Sequence, residues 1–567
     1  MSGLTTVAST GTLIPGTNGT VGTLALSGGL TMTGAGLTFD LATPGASDLV
    51  NLGATGVLAT TGGLNAFTFA GTPTVGSYTL IDYGTFIGSL GDFSSIPAMI
   101  NGFNATLSDD TGLGAIVLTL AAVSGPPQWT GTGNWNDSSN WQGGVPNSAS
   151  AVASFLGMGT GTVTVNAPQT VNQLVFNDPA VTPPGYTIGG TNTLTLGGTT
   201  PSITNTTGTN TITAPLNLPA GTAINVNGGT LELNRTGTGN TVAATTTANV
   251  ATGATLRLAG SASALSANAN VVTTGTGTLS VTGTGQAVGN ITGTGTTTVT
   301  ASGASLTASS IRQNSLNIGV GNTVTVAANG SNSGVSRVSS LSIAGGATPT
   351  GKLDLKDNDL VVGSGNLTAA LATHSLINEQ VEFASNGLAW DQPGITSSTV
   401  QNDINVNSLP TALGILLNND GSGLGGNLFY GDGINLPTFS GQSVNEFDTL
   451  VKYTWLGDAD LNGQVDSVDF GLFQAGFSNS APYIGWAFGD FDYNGVVDSV
   501  DFGLFQAGFS GQSTQFLTSN SSLSIAAVPE PGSLALLAAG ICGTGLLLRR
   551  RRQQQTGNTS LLPQGDR

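Results

Sequence analysis

The sequence predicts a mainly β fold in which β-solenoid repeats occupy most of the chain. Glycine supplies 86 of the 567 residues without a collagen period, and threonine and asparagine are abundant, so strands and tight turns are expected. Short segments of the form T-L-x-L or T-L-x-V recur at intervals of 25 and 23 residues. Near the C-terminus, a duplicated acidic loop with a short helical pattern after each copy predicts a small α module, and an apolar segment predicts a single hydrophobic helix.

Charge and cysteine content limit the partners and the chemistry. The chain carries 12 Lys and Arg against 30 Asp and Glu, for a net charge of -18. This balance argues against nucleic acid and anionic membrane surfaces as partners. The one cysteine, Cys542, rules out an internal disulfide. The residues after Met1 lack the basic and apolar regions of a secretory signal, so we expect a truncated or misplaced start.

Two β regions are expected before residue 351. Residues 1–123 form a β-strand repeat region, in which short alternating strands such as Ala115–Leu120 are separated by Gly, Asn and Pro. The segment S-G-P-P-Q at Ser124–Gln128 marks the boundary. A second region, 128–350, is the predicted β-solenoid proper. Its opening segment places three tryptophans close together, and packing at the start of the solenoid is favoured over stacking on sugars for Trp129, Trp135 and Trp141.

The repeat spacing carries the solenoid prediction. Leu231, Leu256 and Leu279 occupy equivalent positions 25 and 23 residues apart, a plausible length for one solenoid turn. In each segment two apolar residues two positions apart, such as Leu231 and Leu233, point inward, and the residue between them faces solvent. A series of β-sandwiches remains the alternative.

These repeats resemble the autotransporter-associated β-strand repeats of large bacterial surface proteins. The resemblance covers roughly residues 1–345. Within it, Trp129–Asn147 looks like the opening of such an array and Ser77–Gly84 like a segment near its close. The resemblance implies a cell-surface or extracellular protein.

Residues 351–450 differ in composition from the preceding regions, because the Thr-Gly repeats become sparse. Lys352–Val362 alternates like a strand, and we expect a separate small β-rich domain. Asp354, Asp357 and Asp359 stand beside lysines there, which favours a solvated strand edge over a catalytic pair of carboxylates.

The sharpest chemistry lies in two twelve-residue loops, D-A-D-L-N-G-Q-V-D-S-V-D at Asp458–Asp469 and D-F-D-Y-N-G-V-V-D-S-V-D at Asp490–Asp501. Oxygen-bearing residues at positions 1, 3, 5, 9 and 12, a carbonyl at position 7 and glycine at position 6 form a calcium-binding pattern. We therefore predict two Ca²⁺ sites. Their ligands are Asp458, Asp460, Asn462, the Gln464 carbonyl, Asp466 and Asp469 in one loop, and Asp490, Asp492, Asn494, the Val496 carbonyl, Asp498 and Asp501 in the other.

Each loop leads into a predicted amphipathic helix. Asp466–Ser478 is identical to Asp498–Ser510, and both copies place apolar residues on one helical face. A duplicated loop–helix unit without the leading helix of an EF-hand is similar to a type I dockerin, over about Tyr453–Ser510. We assign the module to residues 451–511. The resemblance implies a cohesin-like or other surface-protein partner and an association with polysaccharide.

The predicted binding face departs from the cellulosomal pattern. Positions 10 and 11 are Ser467–Val468 and Ser499–Val500, and the helices continue F-G-L-F-Q-A-G-F without Lys or Arg. An apolar, uncharged face favours a partner other than a cellulosomal cohesin, either another domain of this protein or a divergent surface receptor.

The C-terminal part has the order of a sorting signal. A Ser-rich linker at 512–527 precedes V-P-E-P, a 16-residue apolar run at Ser533–Leu548 and four arginines, followed by a tail at 553–567. The run is at the short limit for a membrane helix, with the arginines on the cytoplasmic side. The order resembles the PEP-CTERM sorting signal at 528–552, which implies export and cleavage by an exosortase-type enzyme. A plain C-terminal membrane anchor is the alternative. The residues of the predicted signal are Val528, Pro529, Glu530, Pro531, Arg549, Arg550, Arg551 and Arg552.

The sequence favours a structural or adhesive role over catalysis. The competing hypothesis is a carbohydrate-active β-helix enzyme, a glycoside hydrolase or lyase in polysaccharide degradation. No Lys or Arg precedes Arg235, although a lyase of this kind usually needs a basic side chain to take a proton from the sugar and hold its acid group. Asp109 and Asp110 are adjacent, so on a strand they point to opposite faces, unlike a glycosidase pair. The chain has one histidine, His374, and no nucleophile-elbow motif that would supply a serine for it to activate.

Overall fold

The computed structural model describes residues 3–512, except for 18, 98, 102, 123–124, 160, 179–184, 420–427 and 432–436. The chain divides into two units, Met1–Thr514 and Gln515–Arg567, and the second lies outside the described residues. The predicted linker beyond Gln512, the sorting signal at 528–552 and the tail at 553–567 therefore lie outside them as well.

The first region, up to residue 121, is made of short strands. Its strands are β1 (Thr5–Val7), β2 (Thr12–Leu13), β3 (Thr23–Ala25), β4 (Leu30–Met32), β5 (Gly36–Leu41), β6 (Leu49–Asn51), β7 (Val57–Thr60), β8 (Ala66–Gly71), β9 (Gly76–Asp82), β10 (Thr85–Ile87), β11 (Met99–Ile100), β12 (Phe103–Asp110) and β13 (Ala115–Ala121).

These strands stack in parallel on three faces. The sheets have the orders β1-β4-β7-β10, β2-β5-β8 and β3-β6-β9, and antiparallel β13, β12 and β11 extend the third sheet. Thr5 aligns with Leu30, which aligns with Leu58, so successive turns are 25 and 28 residues long. Alternate side chains point inward, and Leu30 and Leu58 are fully buried in a shared core.

The second region continues with strands β14 to β42. They are β14 (Gln128–Trp129), β15 (Gly133–Asn134), β16 (Trp141–Gln142), β17 (Val152–Phe155), β18 (Thr162–Thr164), β19 (Gln169–Val171), β20 (Gln173–Asn177), β21 (Thr187–Gly189), β22 (Leu194–Leu196), β23 (Ser202–Thr207), β24 (Thr209–Ile212), β25 (Leu216–Leu218), β26 (Ala223–Val226), β27 (Thr230–Asn234), β28 (Thr241–Val242), β29 (Thr246–Val250), β30 (Thr255–Ala259), β31 (Ala269–Thr273), β32 (Thr278–Val281), β33 (Gln286–Gly293), β34 (Thr296–Val299), β35 (Ser305–Ile318), β36 (Thr323–Val326), β37 (Ser336–Ile343), β38 (Lys352–Asp354), β39 (Leu360–Val362), β40 (Gly394–Thr396), β41 (Thr411–Leu417) and β42 (Thr449–Trp455).

Helices are concentrated after residue 360 of the described chain. The α-helices are α1 (Leu367–Ser385), α2 (Ser398–Asn402), α3 (Ser467–Phe477) and α4 (Ser499–Gly511). A π-helical turn at Asp403–Asn407 follows α2, and 3₁₀ turns lie at Leu90–Asp92, Ser138–Asn140 and Trp486–Phe488.

The predicted repeat leucines form the centre of the second region. Leu231 pairs with Leu256 and Leu256 with Leu279 in the parallel ladder β27-β30-β32, and all three are fully buried. Parallel ladders run in this way from β17 to β40, and the 14-residue strand β35 takes part in two of them. This large parallel sheet is compatible with a solenoid and differs from the antiparallel sheets of a β-sandwich.

The three tryptophans close the start of this region by packing. Trp129, Trp135 and Trp141 are fully buried, and the rings of Trp129 and Trp141 meet edge to face at 5.1 Å. The indole of Trp135 donates to the Pro146 carbonyl at 3.1 Å, and that of Trp141 donates to the Trp135 carbonyl at 2.7 Å. Their burial supports the packing interpretation and leaves no aromatic face for a sugar.

Residues 351–450 differ from the expected small β-rich domain. They contain the 19-residue helix α1, which begins where the Asn366 side chain accepts from the Ala369 N–H at 3.0 Å. Strands β38 and β39 continue the parallel ladder from β36 and β37, so the sheet runs without a break past residue 350. Antiparallel β41 and β42 then end the sheet, with β42 pairing to β39.

Asp354 corrects the prediction of a solvated strand edge. Its side chain is buried, and it accepts hydrogen bonds from the Ser398 N–H at 3.0 Å and the Ser398 hydroxyl at 2.8 Å. Lys356 lies 3.6 Å from it as an ion-pair partner. Because Ser398 begins α2, this carboxylate holds the start of that helix against the sheet.

The buried leucine ladder yields a stability prediction. Replacing Leu256 by alanine is expected to lower the free energy of unfolding by about 2–5 kcal/mol, because it leaves a cavity between two rungs. The matched change Thr255→Ala, on the half-exposed side of the same strand, is expected to change it by about 0.5 kcal/mol or less. Denaturant unfolding of both variants tests this, and equal losses would contradict the inward orientation of the leucines.

Candidate metal centres

Each acidic loop ends in the N-terminal cap and first turn of the helix that follows it. In the first loop Asp466 caps α3 by accepting from the Val468 N–H at 2.7 Å, while the carboxylate of Asp469 accepts from the Asp466 N–H at 2.8 Å. The second loop repeats this capping box with Asp498 and Asp501 at the start of α4. The carboxylates at positions 9 and 12 are therefore oriented by the same contacts that begin the helices.

Three carboxylates of each loop converge. Carboxylate oxygens of Asp458, Asp460 and Asp469 lie within 4.8 Å of one another. The same holds for the equivalent residues of the second loop, Asp490, Asp492 and Asp501. These are positions 1, 3 and 12 of the predicted calcium pattern, and all the converging atoms are oxygens, the ligand type that a hard divalent cation prefers.

The other predicted ligands lie around these clusters. Asn462 donates to a carboxylate oxygen of Asp460 at 3.0 Å, and its side-chain oxygen accepts from the Gln464 N–H at 2.8 Å. Asn494 makes the equivalent contacts in the second loop, with the N–H of Val496 as the donor. Asp466 and Asp498 serve as helix caps. The structure thus places each of these side chains within its own loop, beside the three converging carboxylates.

One oxygen in each cluster lacks a hydrogen bond. In the described part of the chain, Oδ1 of Asp458 and Oδ1 of Asp490 are buried without a donor. Their other oxygens accept from the N–H groups of Gly463, at 2.9 Å, and Gly495, at 3.1 Å. A buried carboxylate oxygen without a partner is costly, so the same atom at position 1 of both loops fits a bound cation.

Electrostatics in the clusters favour a cation as well. Burial raises the pKa of Asp469 to about 6 and that of Asp490 to about 7. Burial also raises the pKa of Asp458 well above its usual range, and the neighbouring Asp469 and Asp460 carboxylates add to this shift. Between Asp458 and Asp501 the sequence has eight Asp and no Lys or Arg to balance them. A divalent cation would supply the missing positive charge.

Position 4 of each loop is a feature that the sequence interpretation missed. Leu461 and Tyr493 have left-handed backbones, with φ of 61° and 63°, and both side chains are buried. Such a conformation is rare for residues other than glycine. The expected glycines, Gly463 and Gly495, are also left-handed, with φ of 93° and 77°. The signal was a large apolar or aromatic residue between the predicted ligands at positions 3 and 5, in D-L-N and D-Y-N.

The two loop–helix units pack across each other. A Cβ on Gly457, just before the first loop, would lie 3.0 Å from the Cα of Phe505 in α4. A Cβ on Gly489, just before the second loop, would lie 3.2 Å from the Cα of Phe473 in α3. Each helix therefore covers the entry to the other loop. Gln512, just after α4, also links this end of the chain to the first loop. Its side-chain oxygen accepts from the Val465 N–H at 2.7 Å, and its amide nitrogen donates to the Val465 carbonyl at 2.6 Å.

Residues considered for catalysis have structural surroundings. His374 is buried in α1, its ring meets Tyr483 edge to face at 5.6 Å, and burial lowers its pKa to about 4. Asp109 accepts from the hydroxyl of Tyr83, and Asp110 accepts from two backbone N–H groups of the following turn. None of these contacts brings together an acid–base pair or a nucleophile with a base.

The comparison with known families adds one match. Residues 527–552 match the model of the PEP-CTERM protein-sorting motif. This confirms the predicted sorting signal from Val528 to Arg552. The motif indicates an exported protein that is sorted to the cell surface and processed by an exosortase-type enzyme. No curated protein and no solved structure matches the chain significantly. Among the described residues, no helix has the length and apolar character needed to cross a membrane.

The raised pKa values predict an unusual pH dependence when calcium is chelated. In the unfolded chain an Asp has a pKa of about 3.9, so folding makes Asp469 and Asp490 bind protons more tightly. The stability that they contribute is present below about pH 4 and is lost as the pH rises through about 6 to 7. Melting temperatures in chelator should therefore fall across this window.

The Asp469→Asn, Asp490→Asn double variant should reduce that fall, because neither amide titrates. Asp110→Asn, at the exposed turn of the first region, serves as the control and should leave the wild-type slope unchanged. A pH slope that survives the double substitution unaltered would contradict the assignment to these two carboxyls.

Proposed function

We propose that this chain is an exported surface protein in which a β-solenoid serves a structural or adhesive role and two acidic loops each bind one Ca²⁺. The observation that carries the calcium proposal is the buried, unbonded Oδ1 of Asp458 and of Asp490, found at the same position of both loops. The converging carboxylates and the calcium spacing of the sequence support it.

Each ion would be held by carboxylates at positions 1, 3 and 12, with the remaining loop oxygens completing its shell. Asp469 and Asp501 are the expected bidentate ligands. Calcium in these sites would neutralise carboxylates that otherwise repel one another, so its role is structural and its binding energy contributes to folding. The loop–helix repeat is proposed as dockerin-like, and the solenoid as built of autotransporter-associated repeats.

A structural or adhesive role fits the composition of the solenoid better than catalysis does. The first 234 residues lack Lys and Arg, and the carboxylates, tryptophans and histidine weighed for catalysis make structural contacts. Stacked rungs present long rows of Thr, Ser and Asn side chains, as in the column that pairs Thr230, Thr255, Thr278 and Thr296. Product formation from a polysaccharide panel would instead favour the carbohydrate-active alternative.

Calcium stoichiometry tests the proposed sites. Isothermal titration of the wild-type chain is expected to give two bound Ca²⁺, and Asp469→Ala or Asp501→Ala is expected to give one, because each removes the position-12 ligand. Asp110→Ala, a carboxylate in the first region, is the matched control and should keep two ions. Wild-type protein that binds no calcium at millimolar concentration would contradict the proposal.

Processing of the C-terminus is tested by intact mass. In a cell that has the processing enzyme, the mature protein is expected to end near Pro531 and to lack Arg549–Arg552. A variant with Pro529 and Pro531 changed to alanine should keep the arginines, since it destroys the recognised segment. A wild-type mass that includes Arg567 would favour a plain membrane anchor.

A further inference from the structure

Among the described strands, the large sheet ends on a strand, β41, that pairs on one side only. In the described chain β41 pairs with a single strand, β42, although all seven of its residues are buried. An unpaired edge recruits other strands unless something covers it. Helices α1 and α2 pack against β41, and the Trp486–Phe488 turn between the two acidic loops adds to the cover.

The two loops reach neighbouring residues of this edge strand. The hydroxyl of Tyr493, at position 4 of the second loop, donates to the Leu413 carbonyl at 2.9 Å. Gly414 is the next residue, and a Cβ there would lie 2.4 Å from Leu461 Cδ2, at position 4 of the first loop. The same Cβ would lie 2.7 Å from Trp486 Nε1. A glycine in the strand is therefore what allows the first loop and the indole to approach.

The contacts continue into the metal clusters themselves. Trp486 Nε1 donates to the backbone carbonyl of Asp458 at 2.7 Å, and the Tyr430 hydroxyl donates to that of Asp460 at 2.9 Å. In the first loop, two of the three residues whose carboxylates converge are thus anchored by their carbonyls to side chains at the end of the sheet. The ring of Tyr493 stacks on Trp486 at 5.5 Å, which joins the second loop to the same anchor.

We propose that calcium binding and coverage of the edge strand β41 form one linked equilibrium, a calcium-dependent lock on the C-terminal end of the solenoid. The inference rests on the proposed calcium sites. Bound calcium would hold Leu461 and Tyr493 in their left-handed conformation, the one that places both side chains against Leu413 and Gly414. The docked loops are in turn preorganised for calcium, because linkage is reciprocal.

Calcium loss then has a defined structural consequence. The loops lose their cation and the neighbouring carboxylates repel, so the position-4 side chains leave the strand. Strand β41 then loses the part of its cover that the loops provide, and its edge becomes open to exchange with solvent. The central rungs, which are covered by their own neighbours, are independent of calcium.

Hydrogen exchange of the full chain, with calcium and with chelator, tests the lock. Peptides covering β41 and β42 are expected to exchange at least about tenfold faster in chelator, when calcium in the other sample is about tenfold or more above its Kd. Peptides covering β30 and β32 should exchange equally in both samples and serve as the internal control.

Calcium affinities of position-4 variants test the reciprocal effect. Tyr493→Phe removes only the hydroxyl that reaches Leu413 and is expected to weaken calcium binding by about two- to tenfold. Leu461→Ala is expected to weaken it further, because it removes the contact with Gly414. Neither residue is a proposed ligand. Tyr83→Phe, which removes a bonded hydroxyl in the first region, is the matched control and should bind calcium as the wild type does.

The outcomes separate the two proposals. Wild-type protein without calcium binding overturns the calcium sites and the lock together. Two bound ions, with β41 exchange unaffected by chelator and unchanged affinity in Tyr493→Phe, overturn the lock alone and leave the calcium sites standing. Tyr493→Phe keeps the packed ring, so it remains informative even if Leu461→Ala fails to fold.

Discussion

A parallel solenoid buries each rung under the next, so its last rung always leaves an apolar end and an unpaired strand edge. In this chain the constraint falls on β41, whose residues are buried although it pairs only with β42 in the described structure. This need for a cover explains the position of the C-terminal elements, because α1, the Trp486 turn and both acidic loops pack where the sheet stops. At the start of the second region, Trp129, Trp135 and Trp141 cover the first strands with packed rings and with indole hydrogen bonds to backbone carbonyls.

Closing the end with acidic loops has an electrostatic cost that a bound divalent cation would offset. The contacts that place the loops on the sheet also take Asp458 and Asp490 out of water and leave one oxygen of each without a donor. Under the proposed account, export would connect these sites to function, because extracellular calcium-binding modules have dissociation constants of about 10⁻⁴ to 10⁻³ M. Under the proposed account the end of the solenoid would become locked once the chain reaches a calcium-rich medium.

Local patterns predicted much of this structure, and contacts distant in sequence supplied the remainder. The period of Leu231, Leu256 and Leu279 predicted their register, because stacked rungs require equivalent positions. Loop spacing placed all the converging carboxylates among the predicted ligands, but it did not separate them from Asp466 and Asp498, which cap the helices. Helix α1 was missed, since its apolar residues, such as Ile377 and Val381, also suit a strand. The role of Gly414 had no local signal, because the side chain it accommodates, Leu461, lies 47 residues later.

The central claim, that each acidic loop binds one Ca²⁺, is tested most directly by a crystal structure from crystals grown in the presence of calcium. The account predicts one ion in each loop, at about 2.3–2.6 Å from Oδ1 of Asp458 and of Asp490, with Leu461 and Tyr493 still against the edge strand β41. Loops that hold only water beside these oxygens at millimolar calcium would contradict it.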